Sequence, residues 1–169
     1  MLRPFFVAIT ISLILYLPAV GQTMQKQIRP SILKIVYKLT KENTLHLGGP
    51  VGFAAKLETN NQYYKLYQKL NKKATDEELM LLTNDNSKTV VLYSFLILYS
   101  RKYNKLGEVF KNHITDTSEV WIAGGCTSSI TRINIFMLRQ LNPAFMDSRQ
   151  PYLKQEEYDN YIKKLGITN

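Results

Sequence analysis

The sequence predicts an all-α fold, built as a short α-solenoid of stacked helix pairs and preceded by a cleavable signal peptide. Three observations lead to this prediction. Apolar residues recur at helical spacing through most of the chain, no segment alternates polar and apolar residues as a strand does, and a repeat of about 31 residues relates successive segments. With 169 residues, 45% of them hydrophobic, the chain suits one compact domain and is too short for a large multidomain enzyme.

The first 21 residues have the pattern of a signal peptide. Arg3 is the only charged residue there, residues 5–17 form a mostly apolar run, and the small residues Ala19 and Gly21 precede a polar restart. The run is shorter than the roughly 20 apolar residues that cross a bilayer, so a retained membrane anchor is the weaker alternative. We therefore expect cleavage near Gly21 and an exported, periplasmic or secreted protein without a transmembrane span.

Behind the signal peptide (1–21), the chain divides into two predicted parts. Residues 22–59 combine an N-terminal helix, around Pro30 to Lys41, with a Gly-rich connector, and residues 60–169 form a helical repeat domain. The connector HLGGPVGFAA lacks the lysine and the serine or threonine that a phosphate-binding loop requires. We therefore interpret it as a linking loop.

The repeat domain begins with segments that carry local helix signals. In YYKLYQKLNKK the apolar residues recur at helical spacing and the lysines lie on other sides. In ATDEELMLLTND, Thr75 followed by Glu78 is a capping-box signal, and the polar run TNDNS at 83–87 is typical of a turn. The next run, Val90 to Tyr99, is almost wholly apolar, and its length and helical neighbours favour a buried helix over a buried strand.

Three further apolar stripes at helical spacing complete the chain. The last predicted helix begins near Pro151 and ends at Gly166, because proline is favoured at a helix start and glycine just past a helix end. The stripes comprise Leu106, Val109, Phe110 and His113; Ile133, Phe136, Met137 and Leu141; and Tyr158, Tyr161, Ile162 and Leu165.

The repeat is visible when the chain is shifted against itself. Each predicted unit holds a helix, a turn with an aspartate, and a second, more buried helix. A helix pair cannot bury its apolar face alone, so the units would stack into a curved array. The positions in register include Asp85 with Asp116 and then Asp147, Ser87 with Ser118, and Val90–Leu92 with Trp121–Ala123.

The segments ATDEELMLLTNDNSKTVVLYSFLIL and HITDTSEVWIAGGC resemble the HEAT-like repeat family, in its short two-helix form from small exported bacterial proteins. The resemblance covers roughly Asn60 to Pro143. It departs from the family pattern at Leu92, where many second helices have arginine. The resemblance implies a scaffold that binds macromolecules along a concave helical face and seldom carries catalysis. We therefore expect a protein-binding or scaffolding module that is not an enzyme and uses no cofactor.

The segment WIAGGCTSSITR suggests a competing chemistry. Cys126 is the only cysteine, and its distance from Arg132 is the spacing with which cysteine phosphatases hold phosphate. Gly125 stands where those enzymes have histidine, which weakens the match. His113 could instead serve as base for a Cys126 thiolate, although its apolar stripe favours a packing role. The alternative function is thus a thiol-dependent hydrolase or phosphatase-like enzyme that uses Cys126, His113 and Arg132.

The basic composition indicates an anionic partner, since the net charge is +9. On one predicted helix Lys65, Lys69 and Lys73 recur every four residues beside Tyr64, a combination that binds nucleic acid in some proteins. Export argues against nucleic acid, so we expect these four residues to bind another protein or an anionic envelope surface. The two histidines and single cysteine form no recognisable metal-ligand pattern.

Overall fold

The computed structural model describes residues 28–48, 61–124, 127–145 and 151–167. Within these ranges the chain forms seven α-helices, one 3-10 helix and a three-stranded sheet. Helices α1 to α7 span Pro30–Leu39, Gln62–Lys73, Asp76–Leu82, Lys88–Ser100, Leu106–Asn112, Ile133–Gln140 and Gln155–Lys164. Strands β1 to β3 span Thr44–His46, Glu119–Gly124 and Thr127–Arg132, and the 3-10 helix spans Pro143–Phe145.

The sheet shows that the prediction of an all-α solenoid is wrong. Its order is β1–β2–β3, with β1 parallel to β2 and β2 antiparallel to β3. The block Trp121–Ala123 is a strand, whereas the block Val90–Leu92, with which the repeat aligned it, is helical. The cause is partly local: the segment 119–132 is rich in β-branched residues and contains two glycines, which favour a strand hairpin over a helix.

One feature of the predicted repeat is present twice in the structure, namely the turn that contains an aspartate. The carboxylate of Asp85 accepts a hydrogen bond from the backbone N–H of Ser87 at 2.7 Å, and Asp116 accepts one from Ser118 at 3.0 Å. Both are Asx turns that follow a helix. The first turn leads into α4 and the second into β2, so the same local structure precedes two different elements. Asp147 lies outside the described residues.

Helix α4 forms the centre of the hydrophobic core. It packs against α3, α5, α6 and β1, and apolar side chains surround it on nearly all sides, as the run Val90 to Tyr99 predicted. The core also includes Ile32 and Leu39 of α1 and Leu45 of β1. Segments on both sides of residue 60 therefore share one core.

Helices α1 and α2 pack side by side. Helix α1 begins at Pro30, which already has the backbone angle of a helix start, and it buries Ile32, Ile35, Val36 and Leu39. Helix α2 begins after Asn61, whose side chain accepts a hydrogen bond from the backbone N–H of Tyr64 at 3.0 Å. Both helices leave their lysines on the exposed surface.

The short helix α3 begins with the predicted capping box, which the structure confirms. The backbone N–H of Glu78 donates to the Thr75 hydroxyl at 3.3 Å, and the Thr75 N–H donates to the Glu78 carboxylate at 2.9 Å.

The predicted signal peptide lies outside the described residues, so signal cleavage and export stay predictions. Within the described ranges, no helix combines the length and the apolar character needed to cross a bilayer.

Candidate functional site

An open groove of about 510 Å³ lies between α1 and α2. Most of its surface is apolar, because the apolar side chains at the edge of the contact between α1 and α2 are not covered by the opposite helix and line the groove. Its rims are basic on both sides, with lysines from α1 and from α2. We call its apolar lining the floor, which includes Leu33, Tyr37 and Leu66, and its basic lining the rims, which consist of Lys34, Lys38 and Lys69.

Neither helix of the groove contains an acidic residue. Helix α1 reads PSILKIVYKL and α2 reads QYYKLYQKLNKK. Their lysines are all exposed, and none forms an ion pair with another residue that the structure describes. Because neither helix carries a carboxylate of its own, these ammonium groups produce a positive field over the groove, which attracts an anionic ligand.

Tyr37 gives the groove an exposed aromatic side chain. Its relative exposure is 63%, the second largest among the large hydrophobic residues that the structure describes. The ammonium of Lys41 lies 4.3 Å from the centre of the ring, in a cation–π contact. Exposed tyrosines of this kind often dominate binding, because a rigid ring buries much apolar area while its hydroxyl stays in water.

The predicted binding residues divide between this groove and its surroundings. Lys65, Lys69 and Lys73 are exposed on α2, and Lys69 lines the groove. Tyr64 is not fully exposed as expected: it is partly buried over Gly48, where a Cβ atom would lie 2.7 Å from the tyrosine ring. Tyr64 therefore packs against the end of β1, and Tyr37 is the aromatic residue of the groove.

Sequence reasoning missed the α1 half of the groove. Lys34 and Lys38 are four residues apart on a helix without acids, which is the same signal that Lys65, Lys69 and Lys73 give on α2. The signal was available in the sequence, but the packing of the two helices was needed to bring both lysine stripes to one site.

Behind α2, an aromatic cluster holds β1 in place. The ring of His46 stacks on Tyr63 with centroids 5.4 Å apart, and the backbone N–H of His46 donates to the Tyr93 hydroxyl at 2.8 Å. Tyr93 in turn stacks on Tyr67 at 5.3 Å. Burial lowers the pKa of His46, against the opposing charge of Glu42, and burial also raises the pKa of Tyr93. The protein environment thus favours the neutral form of both side chains.

Cys126 lies outside the described residues, in the two-residue segment between β2 and β3. The thiol-dependent alternative therefore stays a prediction. Arg132, its proposed phosphate-binding partner, ends β3, and its guanidinium donates to the backbone carbonyl of Leu165 at 3.1 Å. This contact connects the sheet to the end of α7.

His113, the proposed base, follows α5 and has a side chain that is 12% exposed. Its Nδ1 lies 3.7 Å from the nearer carboxylate oxygen of Asp116, which is longer than a hydrogen bond. That carboxylate instead accepts a hydrogen bond from Lys88 at 2.9 Å. Burial alone would raise the pKa of Asp116, but hydrogen bonds from Ser118 and Lys88 lower it to about 2. Asp116 is therefore an anchoring carboxylate of the turn.

Within the described ranges, no three histidine, cysteine, aspartate or glutamate side chains are placed so that they could hold a metal ion. No protein-family model matches the chain, and neither a characterised protein nor a solved structure is significantly similar to it. The resemblance to HEAT-like repeats therefore has no matching relative to test it, and the groove between α1 and α2 is the feature from which function can be argued.

Proposed function

We propose that the protein is a non-catalytic binding module whose groove between α1 and α2 takes up an acidic amphipathic helix of a partner protein. The observation that carries this proposal is an apolar floor enclosed by lysines from two helices that contain no acid. A helix of the partner would place its apolar side chains against Leu33, Tyr37 and Leu66 and its carboxylates beside the lysine rims.

The shape of the surface favours a helical segment over a membrane. A bilayer is best contacted by apolar side chains that protrude, because they have to enter the headgroup region. Here, of Leu33, Tyr37 and Leu66, only Tyr37 is exposed, and the two leucines are partly buried in a depression between two helices. Nucleic acid is also a poorer match, because phosphate contacts would use the lysines and leave the aliphatic floor uncovered.

The two parts of the groove would contribute differently to binding. Burial of the floor supplies most of the affinity, whereas the lysines accelerate association and select acidic partners. At physiological salt, charges separated by more than about 8 Å are largely screened, so only carboxylates near the lysines contribute. We expect affinity to fall as salt is raised, without being abolished.

A displayed library of random peptides of about 16 residues, long enough for roughly four helical turns, tests the proposal. Selection on the folded protein is expected to enrich peptides with aspartate or glutamate and with apolar residues at helical spacing. The triple variant Lys34→Glu, Lys38→Glu, Lys69→Glu is expected to bind the selected peptides at least about tenfold more weakly, a loss of about 1.4 kcal/mol.

A control variant separates the groove from net charge. Lys105→Glu, Lys163→Glu, Lys164→Glu makes the same charge change at three exposed lysines outside α1 and α2, and we expect it to keep the affinity of the wild type. Equal losses in both variants would contradict a specific groove. Enrichment of peptides without acids would also contradict the proposal. A third result would also contradict the proposal: the selection enriches no peptide, and the protein binds phosphatidylglycerol vesicles through the groove lysines. The ligand would then be an anionic membrane surface.

A further inference from the structure

The outer edge of β3 has no pairing strand among the described residues, and the hydrogen bonds of β2 show which residues form that edge. The backbone N–H of Trp121 donates a hydrogen bond toward β1 at 3.4 Å, and the backbone carbonyl of Ala123 accepts one from the same side of the sheet at 2.9 Å. Successive residues of a strand direct their N–H and C=O groups to opposite sides. Val120 and Ile122 therefore direct theirs toward β3.

Thr131 and Ser129 stand opposite Val120 and Ile122 in the register. Their backbone groups accordingly face β2, and the alternate residues Ser128, Ile130 and Arg132 direct theirs away from the sheet. No other strand in the described part of the chain pairs with this edge. Residues 127–130 are all exposed, so the edge is accessible.

Apart from Arg132 at its end, strand β3 lacks the features that usually protect a sheet edge. It reads TSSITR, with no proline and no charge before its last residue, whereas protected edges carry lysines, prolines or bulges. Ile130 stands directly opposite Trp121 on β2, and the two side chains are 47% and 45% exposed. An unprotected edge beside two exposed apolar side chains is expected to pair with another strand.

We propose that this strand is β3 of a second copy of the chain, paired antiparallel about a two-fold axis at Ile130. The two sheets would then join into one of six strands. Residues whose backbone groups face outward must pair with one another, so Ile130 meets its own copy and Ser128 faces Arg132 of the other copy. No like charges are opposed in this register.

The self-complementary register favours a second copy over an unrelated extended peptide. Cross-strand neighbours Trp121 and Ile130 of both copies would form one continuous apolar row across the middle of the joined sheet. The only charged residue of β3 falls at each end of the pairing, away from that row. A contact of two six-residue strands is smaller than the roughly 1,200 Å² of a standard stable interface, so the dimer should be weak and concentration-dependent.

Disulfide cross-linking tests the proposed register directly. The single-cysteine variants are made in a Cys126→Ser background, so that no other thiol is present. Hydrogen-bonded antiparallel partners have Cα atoms about 5.5 Å apart, within the range that a disulfide bridges. Ile130→Cys is therefore expected to form covalent dimers on mild oxidation in dilute solution. Ser128→Cys is the matched control, because its two copies would be about 14 Å apart, four residue steps along the strand.

Sedimentation equilibrium then measures association without a cross-link. The average mass of the wild type is expected to rise above that of one chain as concentration rises. Ile130→Lys should weaken association at least about tenfold, because an edge lysine must be desolvated in the dimer. Phe145→Lys, which changes an 82% exposed side chain outside the sheet, should not.

Two results would overturn the dimer: equal cross-linking of Ile130→Cys and Ser128→Cys, or a wild type that stays at the mass of one chain at every concentration. Helical circular dichroism of the Ile130→Lys protein, unchanged from the wild type, would show that its loss of association does not reflect unfolding.

Discussion

Glu78 accepts hydrogen bonds from both the backbone and the guanidinium of Arg29. The backbone N–H lies 3.0 Å from the carboxylate, Nε 2.9 Å and Nη2 2.8 Å, and Thr75 adds a further backbone N–H. Glu78 is only 4% exposed, so these donors replace the water that its charge has lost. Because Arg29 directly precedes α1 and Glu78 belongs to α3, the contact helps to hold α1 in the position that forms the groove.

Glu78→Gln is expected to lower the free energy of unfolding by about 3 kcal/mol, because the guanidinium and the backbone N–H groups lose a charged acceptor of the right geometry. Urea unfolding followed by circular dichroism measures the loss. Glu77→Gln, at the exposed neighbouring position, is the control and should change stability by less than about 0.5 kcal/mol. Similar values for the two variants would show that the buried carboxylate contributes nothing net.

The same carboxylate should make stability depend on pH. The hydrogen bonds from Arg29 lower the pKa of Glu78 from 4.5 to about 2. A group with a lowered folded-state pKa stabilises the protein fully above its unfolded value, and the stabilisation disappears as pH falls through the folded value. The stability difference between wild type and Glu78→Gln should therefore be complete near neutral pH and shrink between about pH 4.5 and 2.

Comparing the wild type with this variant, rather than following the wild type alone, removes the contribution of Asp116, whose pKa is also lowered to about 2. A difference that stays constant down to about pH 3 would contradict the assignment to Glu78.

The aspartates of the two Asx turns should contribute differently to the free energy of unfolding. Asp116→Ala is expected to destabilise the protein by about 1 kcal/mol more than Asp85→Ala, since Asp116 binds Lys88 at 2.9 Å in addition to its own turn. A double-mutant cycle with Lys88→Met isolates that contact by chemical denaturation. A coupling energy near zero would mean that the turn alone accounts for Asp116.

Gly107→Ala should destabilise the protein by about 1–3 kcal/mol although alanine is the better helix former. A Cβ at Gly107 would lie 2.7 Å from the backbone carbonyl oxygen of Tyr152, so the packing of α5 against the 151–153 segment would have to shift. Thermal unfolding measures the effect. Glu108→Ala, at the exposed next residue of the same helix, is the control and should be nearly neutral. If the Gly107→Ala protein were as stable as the wild type, the 151–153 segment would be able to move away from the added methyl group without loss of stability.

Cys126→Ser should leave peptide binding in the groove unchanged, because α1 and α2 form that groove. Hydrolysis of p-nitrophenyl phosphate should proceed at the same background rate with the wild type and with the variant. A rate that requires Cys126 would instead support the thiol-dependent alternative, with His113→Ala and Arg132→Ala as the next variants to assay.

Of the candidate site, the sequence indicated one half. The spacing of Lys65, Lys69 and Lys73 placed a basic stripe on α2, and the structure exposes all three. The sequence could not show that α1 lies beside α2, or that Tyr37 rather than Tyr64 would be the exposed aromatic ring of the groove. Those facts depend on which faces of the two helices pack, and the segment between them is long enough to allow other arrangements.

Local interactions were sufficient for most of the helices and their ends, although α7 begins at Gln155 and not near Pro151 as predicted. The Thr75–Glu78 capping box, the Asx turns at Asp85 and Asp116 and the apolar run of α4 involve residues near one another in the chain, so the sequence by itself determined them. Local preferences favour the β2–β3 hairpin, but the place of β1 in the sheet was decided only by tertiary structure. Strand β1 has three residues, and its partner β2 lies more than seventy residues away, so no local pattern marks it. The block Trp121–Ala123 became a strand because pairing on both sides satisfied its backbone, which periodicity along the chain cannot reveal.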